Sequence, residues 1–156
     1  PAGEPGEILV RGYNMTQGYF NNPEATQEAI DIDGWLHTGD IGILDGNGYI
    51  RITDRSKDMF IVGGFNAYPA EIENILCDHP AISQAAVIGI DDERMGEVAK
   101  AFVVLKPNHD LNSASLMHWS KNNMANYKVP REIEFMEELP TNAAGKIMKY
   151  VLKEKS

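Results

Sequence analysis

The sequence predicts an α+β fold in two parts, and three observations predict it. Residues 82–90 and 98–105 are rich in Val, Ile and Ala and read as core strands. Tyr68-Pro69-Ala70-Glu71 opens a segment with Ile72, Ile75 and Leu76 at helical spacing. Asp45-Gly46-Asn47-Gly48 sits between two strand-like segments as a hairpin turn. Strands and helices partly segregate along the chain, the mark of an α+β arrangement rather than a parallel α/β one.

In order, residues 7–11 follow a Pro/Gly-rich lead-in and alternate enough for a short strand. Asn22-Pro23-Glu24 is a helix start, with Asn22 as N-cap, proline at the first position and an acid in the first turn. Asp33-Gly34 is a turn, 35–44 a strand and 49–53 its hairpin partner. This β-rich stretch, 1–53, is too small to enclose a core alone. A polar break at 54–58 leads to a short apolar strand, 59–62, and a Gly63-Gly64 turn. The helix from Tyr68 ends at His79-Pro80, because the residue before proline disfavours helical backbone. Asp91 to Arg94 connect the two core strands. Ser113 is the expected cap of a helix reaching about 123, residues 133–136 a further strand, 139–146 a loop, and 147–155 a terminal helix. The second part is thus expected to hold a short hairpin and a three-stranded sheet flanked by helices. Trp35 is expected in the core, and Trp119 in helix packing with Leu116 and Met117.

Composition excludes several classes. The 156 residues carry a net charge of −9, which argues against a nucleic-acid partner. Apolar runs such as 85–90 are far too short to span a bilayer. The single cysteine, Cys77, permits no intrachain disulfide and no Cys-based metal site, and a cytoplasmic location is expected. His37, His79, His109 and His118 lack metal-ligand spacing. The chain starts Pro1-Ala2-Gly3 without Met or signal peptide, so a fragment of a longer protein is expected.

Three loops combine glycines with charges. In Gly34-Trp35-Leu36-His37-Thr38-Gly39-Asp40, a carboxylate beside a glycine suits acceptance from vicinal hydroxyls, though such stretches also serve as plain turns. In Asp54-Arg55-Ser56-Lys57-Asp58, followed by Gly63-Gly64, the cations suit a phosphate or a salt-bridged surface loop. In Pro140-Thr141-Asn142-Ala143-Ala144-Gly145-Lys146, a lysine at an expected helix start opposes the helix dipole. An anionic ligand would explain it, and so would plain solvation.

Their joint order resembles the adenylate-forming (ANL) superfamily of acyl-CoA synthetases, peptide-synthetase adenylation domains and luciferases. Gly18-Tyr19-Phe20-Asn21-Asn22-Pro23-Glu24-Ala25-Thr26 is similar to the family's Gly-Tyr-x-x-x-Pro-x-x-Thr segment, and Trp35 to Asp40 to its Trp-x-x-Thr-Gly-Asp motif. Residues 54–73 resemble the hinge motif with its Tyr-Pro-Ala-Glu-Ile-Glu continuation, and 140–146 the catalytic-lysine motif. Gly6 to Gly12 resemble a strand late in the family's large domain. The resemblance covers nearly the whole chain.

It implies an ATP-dependent acyl-CoA synthetase with two half-reactions: acyl-adenylate formation from a carboxylic acid and ATP, then thioester formation with CoA. Residues 1–53 would be the tail of the large N-terminal domain, and 54–156 the hinge and C-terminal lid. Asp40 and Arg55 would bind the nucleotide near its ribose, and Lys57 would be the pivot. Gly63 and Gly64 would line the thiol tunnel, and Lys146 would be the catalytic lysine. Mg2+ would accompany ATP on ligands outside this chain. The isolated chain is expected to be inactive, since the phosphate loop and most of the acyl pocket would lie upstream.

Residues 14–20 and 59–69 look most like fatty-acyl or medium-chain acyl-CoA synthetases. Luciferases carry a lysine where this chain has Gly63. A peptide-synthetase lid would continue into a carrier domain, whereas this chain stops soon after Lys146. A non-catalytic binding or regulatory module is the alternative of another class, against which Lys146 weighs. The 140–146 pattern also resembles the site at which some acyltransferases acetylate such synthetases, so Lys146 is a candidate for a lysine acetyltransferase.

Overall fold

The computed structural model describes residues 2–155; Pro1 and Ser156 lie outside the described residues. The chain divides into two compact units, one ending at Lys57 and the other beginning at Asp58.

The first unit is a three-stranded antiparallel sheet in the order β1 (Pro5–Val10), β2 (Leu36–Leu44), β3 (Ile50–Arg55). Helix α1 (Pro23–Ala29) starts as its sequence dictates: the Asn22 carboxamide oxygen accepts from the Ala25 N–H at 3.0 Å, and proline takes the first turn. The Thr26 hydroxyl accepts from the Tyr19 N–H (2.9 Å) and donates to the Asn22 carbonyl (2.9 Å). A Cβ at residue 18 would lie 2.7 Å from Thr26 Cγ2, so the Gly18-to-Thr26 spacing is a packing requirement. In the β2–β3 turn, Asp45 Oδ1 accepts from the Asn47 and Tyr49 N–H groups at 2.8 and 2.9 Å. Ile41 is buried, but Tyr13, Phe20, Ile32, Tyr49 and Ile52 are exposed. Trp35 is half-buried rather than core: its ring lies under the Arg11 guanidinium, 4.4 Å from the centroid.

The second unit holds the core. Strands β6 (Ile82–Asp92) and β7 (Gly96–Leu105) form a long hairpin, and β8 (Glu132–Phe135) adds to β7 in parallel. The short hairpin of β4 (Phe60–Val62) and β5 (Phe65–Ala67) joins through the Val62–Gly96 pairing. The expected hairpin and three strands therefore make one five-stranded sheet, in which β6 is an edge. Strand alternation decides the two faces. Ala85, Val87, Ala101 and Val103 pack with Ile72 and Leu76 of α2 (Pro69–Cys77) and Leu116 of α3 (Ser113–Asn123). Ala86, Ile88 and Phe102 pack with Leu139 and with Leu152 of α4 (Lys149–Lys153).

Two sequence expectations are corrected here. The cap of α3 is Asn112, whose side-chain oxygen accepts from the Ser115 N–H at 2.9 Å, with Ser113 the first helical residue. The terminal helix starts at Lys149 rather than at 147, because Ile147 bridges to Thr141 and the Met148 N–H donates to the Pro140 carbonyl at 2.8 Å.

Candidate functional site

The site residues expected from sequence fall in both units. In the first, Asp40 and Arg55 are Cα partners across β2 and β3, and Arg55 Nε lies 3.0 Å from Asp40 Oδ1. The segment leading to Asp40, from the Asp31 turn into β2, is held from several sides. The Asp31 carboxylate accepts from the Trp35 N–H at 2.8 Å, and the Thr38 hydroxyl donates to the Ile8 carbonyl (2.8 Å) while accepting from the Asp40 N–H (3.1 Å). Glu7 accepts from the Gly39 N–H (3.1 Å) and meets His37 Nδ1 at 2.9 Å. That hydrogen bond to Glu7 raises the His37 pKa above its ordinary value, with the Asp31 carboxylate adding to it. The result is an acceptor and a planar donor side by side at the surface, an arrangement suited to a hydroxylated, anionic ligand. Lys57 is exposed in the turn after β3, at the division between the units.

In the second unit, Gly63 and Gly64 turn the chain between β4 and β5 at φ +57° and +88°, which glycine adopts without a Cβ penalty. The Gly63 N–H donates to the Met95 carbonyl (2.8 Å), and the Met95 N–H donates to Asp92 Oδ1 (2.8 Å). Hydrogen bonds from the Met95 and Arg94 N–H groups hold the Asp92 carboxyl below its usual pKa. Ile61 and Phe65 flank the turn, both exposed, and Phe65 stacks on Tyr127 at 5.0 Å between centroids.

Lys146 stands at the end of a third, tightly tied loop. Asn142 Oδ1 accepts from the Ala144 and Lys146 N–H groups at 3.0 and 2.9 Å. The Asn142 N–H donates to the Lys146 carbonyl at 2.9 Å, and the Thr141–Ile147 bridge closes the loop. Residues 141–146 are exposed, while Leu139 and Leu152 on either side are buried. Because α4 starts only at Lys149 and is five residues long, the expected conflict between Lys146 and a helix dipole does not arise. What the loop offers is an exposed cation on a fixed backbone.

Asp40 and Arg55 are therefore brought together, whereas Gly63-Gly64 and Lys146 stand in separate loops of the second unit. Sequence reasoning missed Asn142, although an Asn ahead of Ala-Ala-Gly is a turn signal. It also missed Met95 and Asp92 behind the glycine turn. Among the described residues, no group of three or more His, Cys, Asp or Glu side chains is placed to hold a metal ion. Among the same residues, no helix is long and apolar enough to cross a membrane.

Residues 71–146 match the model of the AMP-binding enzyme C-terminal domain. The chain is 55% identical over 152 residues, 97% of its length, to 3-[(3aS,4S,7aS)-7a-methyl-1,5-dioxo-octahydro-1H-inden-4-yl]propanoyl:CoA ligase of Rhodococcus jostii (strain RHA1). It spans 30% of that relative. Among solved structures it superposes on ATP-bound MatB from Rhodopseudomonas palustris with a TM-score of 0.93 at 38% identity, covering 99% of this chain and 31% of that one. For o-succinylbenzoate CoA synthetase (MenE) from Bacillus subtilis in complex with the acyl-adenylate intermediate, the TM-score is 0.88 at 38% identity, over 98% of this chain and 31% of that one.

Proposed function

We propose, from the match of residues 71–146 to the AMP-binding enzyme C-terminal domain, that the chain is the hinge and lid end of an adenylate-forming, AMP-forming acyl-CoA ligase. In the first half-reaction a carboxylate oxygen attacks the α-phosphate of ATP, forming acyl-adenylate and releasing pyrophosphate. In the second the thiol of CoA attacks the acyl carbon, and AMP leaves. The observation that carries this reading is the 140–147 loop, which holds the Lys146 cation exposed on a backbone tied by Asn142. An ammonium so placed stabilises the negative charge that gathers on carboxylate and phosphate oxygens in the first transition state.

The other residues take supporting roles. Asp40 accepts from the ribose hydroxyls, and Arg55 donates to the nucleotide beside it. The division of the chain after Lys57 supports Lys57 as the pivot on which the lid moves between half-reactions. Gly63-Gly64, flanked by exposed Ile61 and Phe65, suits close passage of a thin, partly apolar thiol arm. Mg2+ would accompany ATP, on ligands from its phosphates and from the large N-terminal domain. The exposed apolar residues of the first unit, Phe20 and Ile32 among them, fit burial against that domain. The isolated chain should release no pyrophosphate, and the whole enzyme should act in the cytoplasm.

The test is made on the full-length ligase, with and without Lys146→Ala, given ATP, Mg2+, CoA and a panel of carboxylic acids. Pyrophosphate release and loss of CoA thiol are followed together. Both should occur with one acid class, and the substitution should abolish most of the adenylation. Pyrophosphate release with CoA untouched would point to another acceptor, as in a peptide-synthetase adenylation domain. Neither signal with any acid would favour a binding module. Exposure of Lys146 also supports acetylation there as a control, since an acetyl group removes the charge. An unchanged intact mass after deacetylase treatment of the native protein would count against it.

A further inference from the structure

Glu73 joins three elements at one carboxylate. It lies on α2, beside the outer edge of β6, the strand that ends the sheet. Glu73 Oε1 accepts from the Val87 N–H at 2.8 Å, which closes a backbone donor that the sheet leaves unpaired. The same oxygen lies 2.7 Å from Lys149 Nζ. Both side chains are withdrawn from solvent, at 19% exposure for Lys149 and 18% for Glu73. The charges are thus screened less than those of a surface pair.

The placement matters because of what each end holds. The core between α2 and the sheet lies on the face of Ala85 and Val87, whereas the 140–147 loop and α4 are rooted on the face of Ala86 and Ile88, through Leu139 and Leu152. The Glu73–Lys149 pair therefore clasps the two faces around the β6 edge. Lys149 is the first residue of α4, three positions after Lys146. It follows the two tethers that fix the end of the loop, Ile147 on Thr141 and Met148 on Pro140. From Lys146 inward, the backbone passes directly into this anchored ion pair.

We propose that Glu73 and Lys149 are positioning residues for Lys146, setting where the loop stands on the lid. This rests on the reading of Lys146 as the lysine of the adenylation step. A reacting group displaced by about 1 Å loses on the order of a hundredfold in rate. Release of the clasp should therefore weaken adenylation and spare the thioester step, in which Lys146 is withdrawn and the Gly63-Gly64 turn is used.

In the full-length ligase, Glu73→Gln keeps the oxygen for Val87 and removes the charge, and Lys149→Met keeps the stem and removes the ammonium. The adenylation half-reaction is read as pyrophosphate release in a single turnover. The thioester half-reaction is read as loss of CoA thiol from supplied acyl-adenylate. Each variant should slow adenylation about tenfold to a hundredfold with the thioester rate nearly unchanged, and Lys149→Arg should restore adenylation. Equal loss of both half-reactions, or none in adenylation while Lys146→Ala still abolishes it, overturns the positioning role alone. An unaffected adenylation in Lys146→Ala overturns the underlying reading and this inference with it. If Glu73→Gln fails to fold, Lys149→Met, which leaves the Glu73 oxygen on the Val87 N–H, and its comparison with Lys149→Arg decide the same question.

Discussion

Arg55 Nε lies 3.0 Å from Asp40 Oδ1, directly across the β2–β3 ladder. The two residues come from separate loop motifs and are brought together by strand register alone. The pair is substantially exposed, 53% for Arg55 and 33% for Asp40, so it contributes little to folding. Asp40→Asn and Arg55→Ala are each expected to change stability by less than about 1 kcal/mol. Each should raise the KM for ATP about tenfold or more, the loss expected when a charge-assisted hydrogen bond is removed. Thermal unfolding and ATP titration of the full-length ligase check the two halves of this expectation. An unaltered KM in a folded variant would remove both residues from the nucleotide site.

The legible parts of the fold are those decided by local chemistry. Asn22-Pro23, Asp45-Gly46 and Tyr68-Pro69 carry their own capping and turn geometry, and β6 and β7 carry the apolar content of a buried hairpin. The illegible parts depend on residues far apart in sequence. Joining of the β4–β5 hairpin to β7 rests on Val62 against Gly96, and nothing local marks either residue for that pairing. The terminal helix reads four-square from 147 by composition, yet its first turn is consumed by tethers to Thr141 and Pro140. At the site, residue types with distinctive neighbours were readable as candidates. Glu73, Lys149, Met95 and Asn142 were not, because ordinary residue types act there through geometry.

The His37–Glu7 contact predicts a pH dependence of definite sign. The hydrogen bond to Glu7, helped by Asp31, raises the pKa of His37 in the folded protein. A raised folded-state pKa stabilises the fold fully below the unfolded value of about 6.5, and the contribution is lost as pH climbs through the folded pKa. Glu7→Gln retains an oxygen for the Gly39 N–H but removes the charge. Its loss of thermal stability should therefore be larger near about pH 6 than near about pH 8. In an NMR titration, the His37 ring protons should report a pKa that falls toward the ordinary value in the variant. An equal effect at both pH values, with no change in the titration, would mean that Glu7 acts only through its backbone contact.

Gly89 packs directly beneath Phe60, the first residue of the strand that leads into the Gly63-Gly64 turn. A Cβ at residue 89 of β6 would lie 2.5 Å from Phe60 Cβ and 2.8 Å from Glu97 Oε1. Neither neighbour can withdraw easily. Phe60 is buried, and Glu97 Oε2 accepts from the Ile61 N–H at 2.9 Å. Gly89→Ala must therefore push β4 away from β6, at a cost of about 1–3 kcal/mol. Gly46, whose Cβ would meet nothing within 4 Å, supplies the control. Gly46→Ala should stay within about 0.5 kcal/mol of the parent. Since β4 leads straight into the glycine turn, Gly89→Ala should also slow thioester formation from supplied acyl-adenylate more than it slows pyrophosphate release. Denaturation curves and the two half-reactions, measured on the same preparations, check this. If Gly89→Ala matches Gly46→Ala in both, the sheet yields at that point, and the turn is held by Met95 rather than by the packing beneath it.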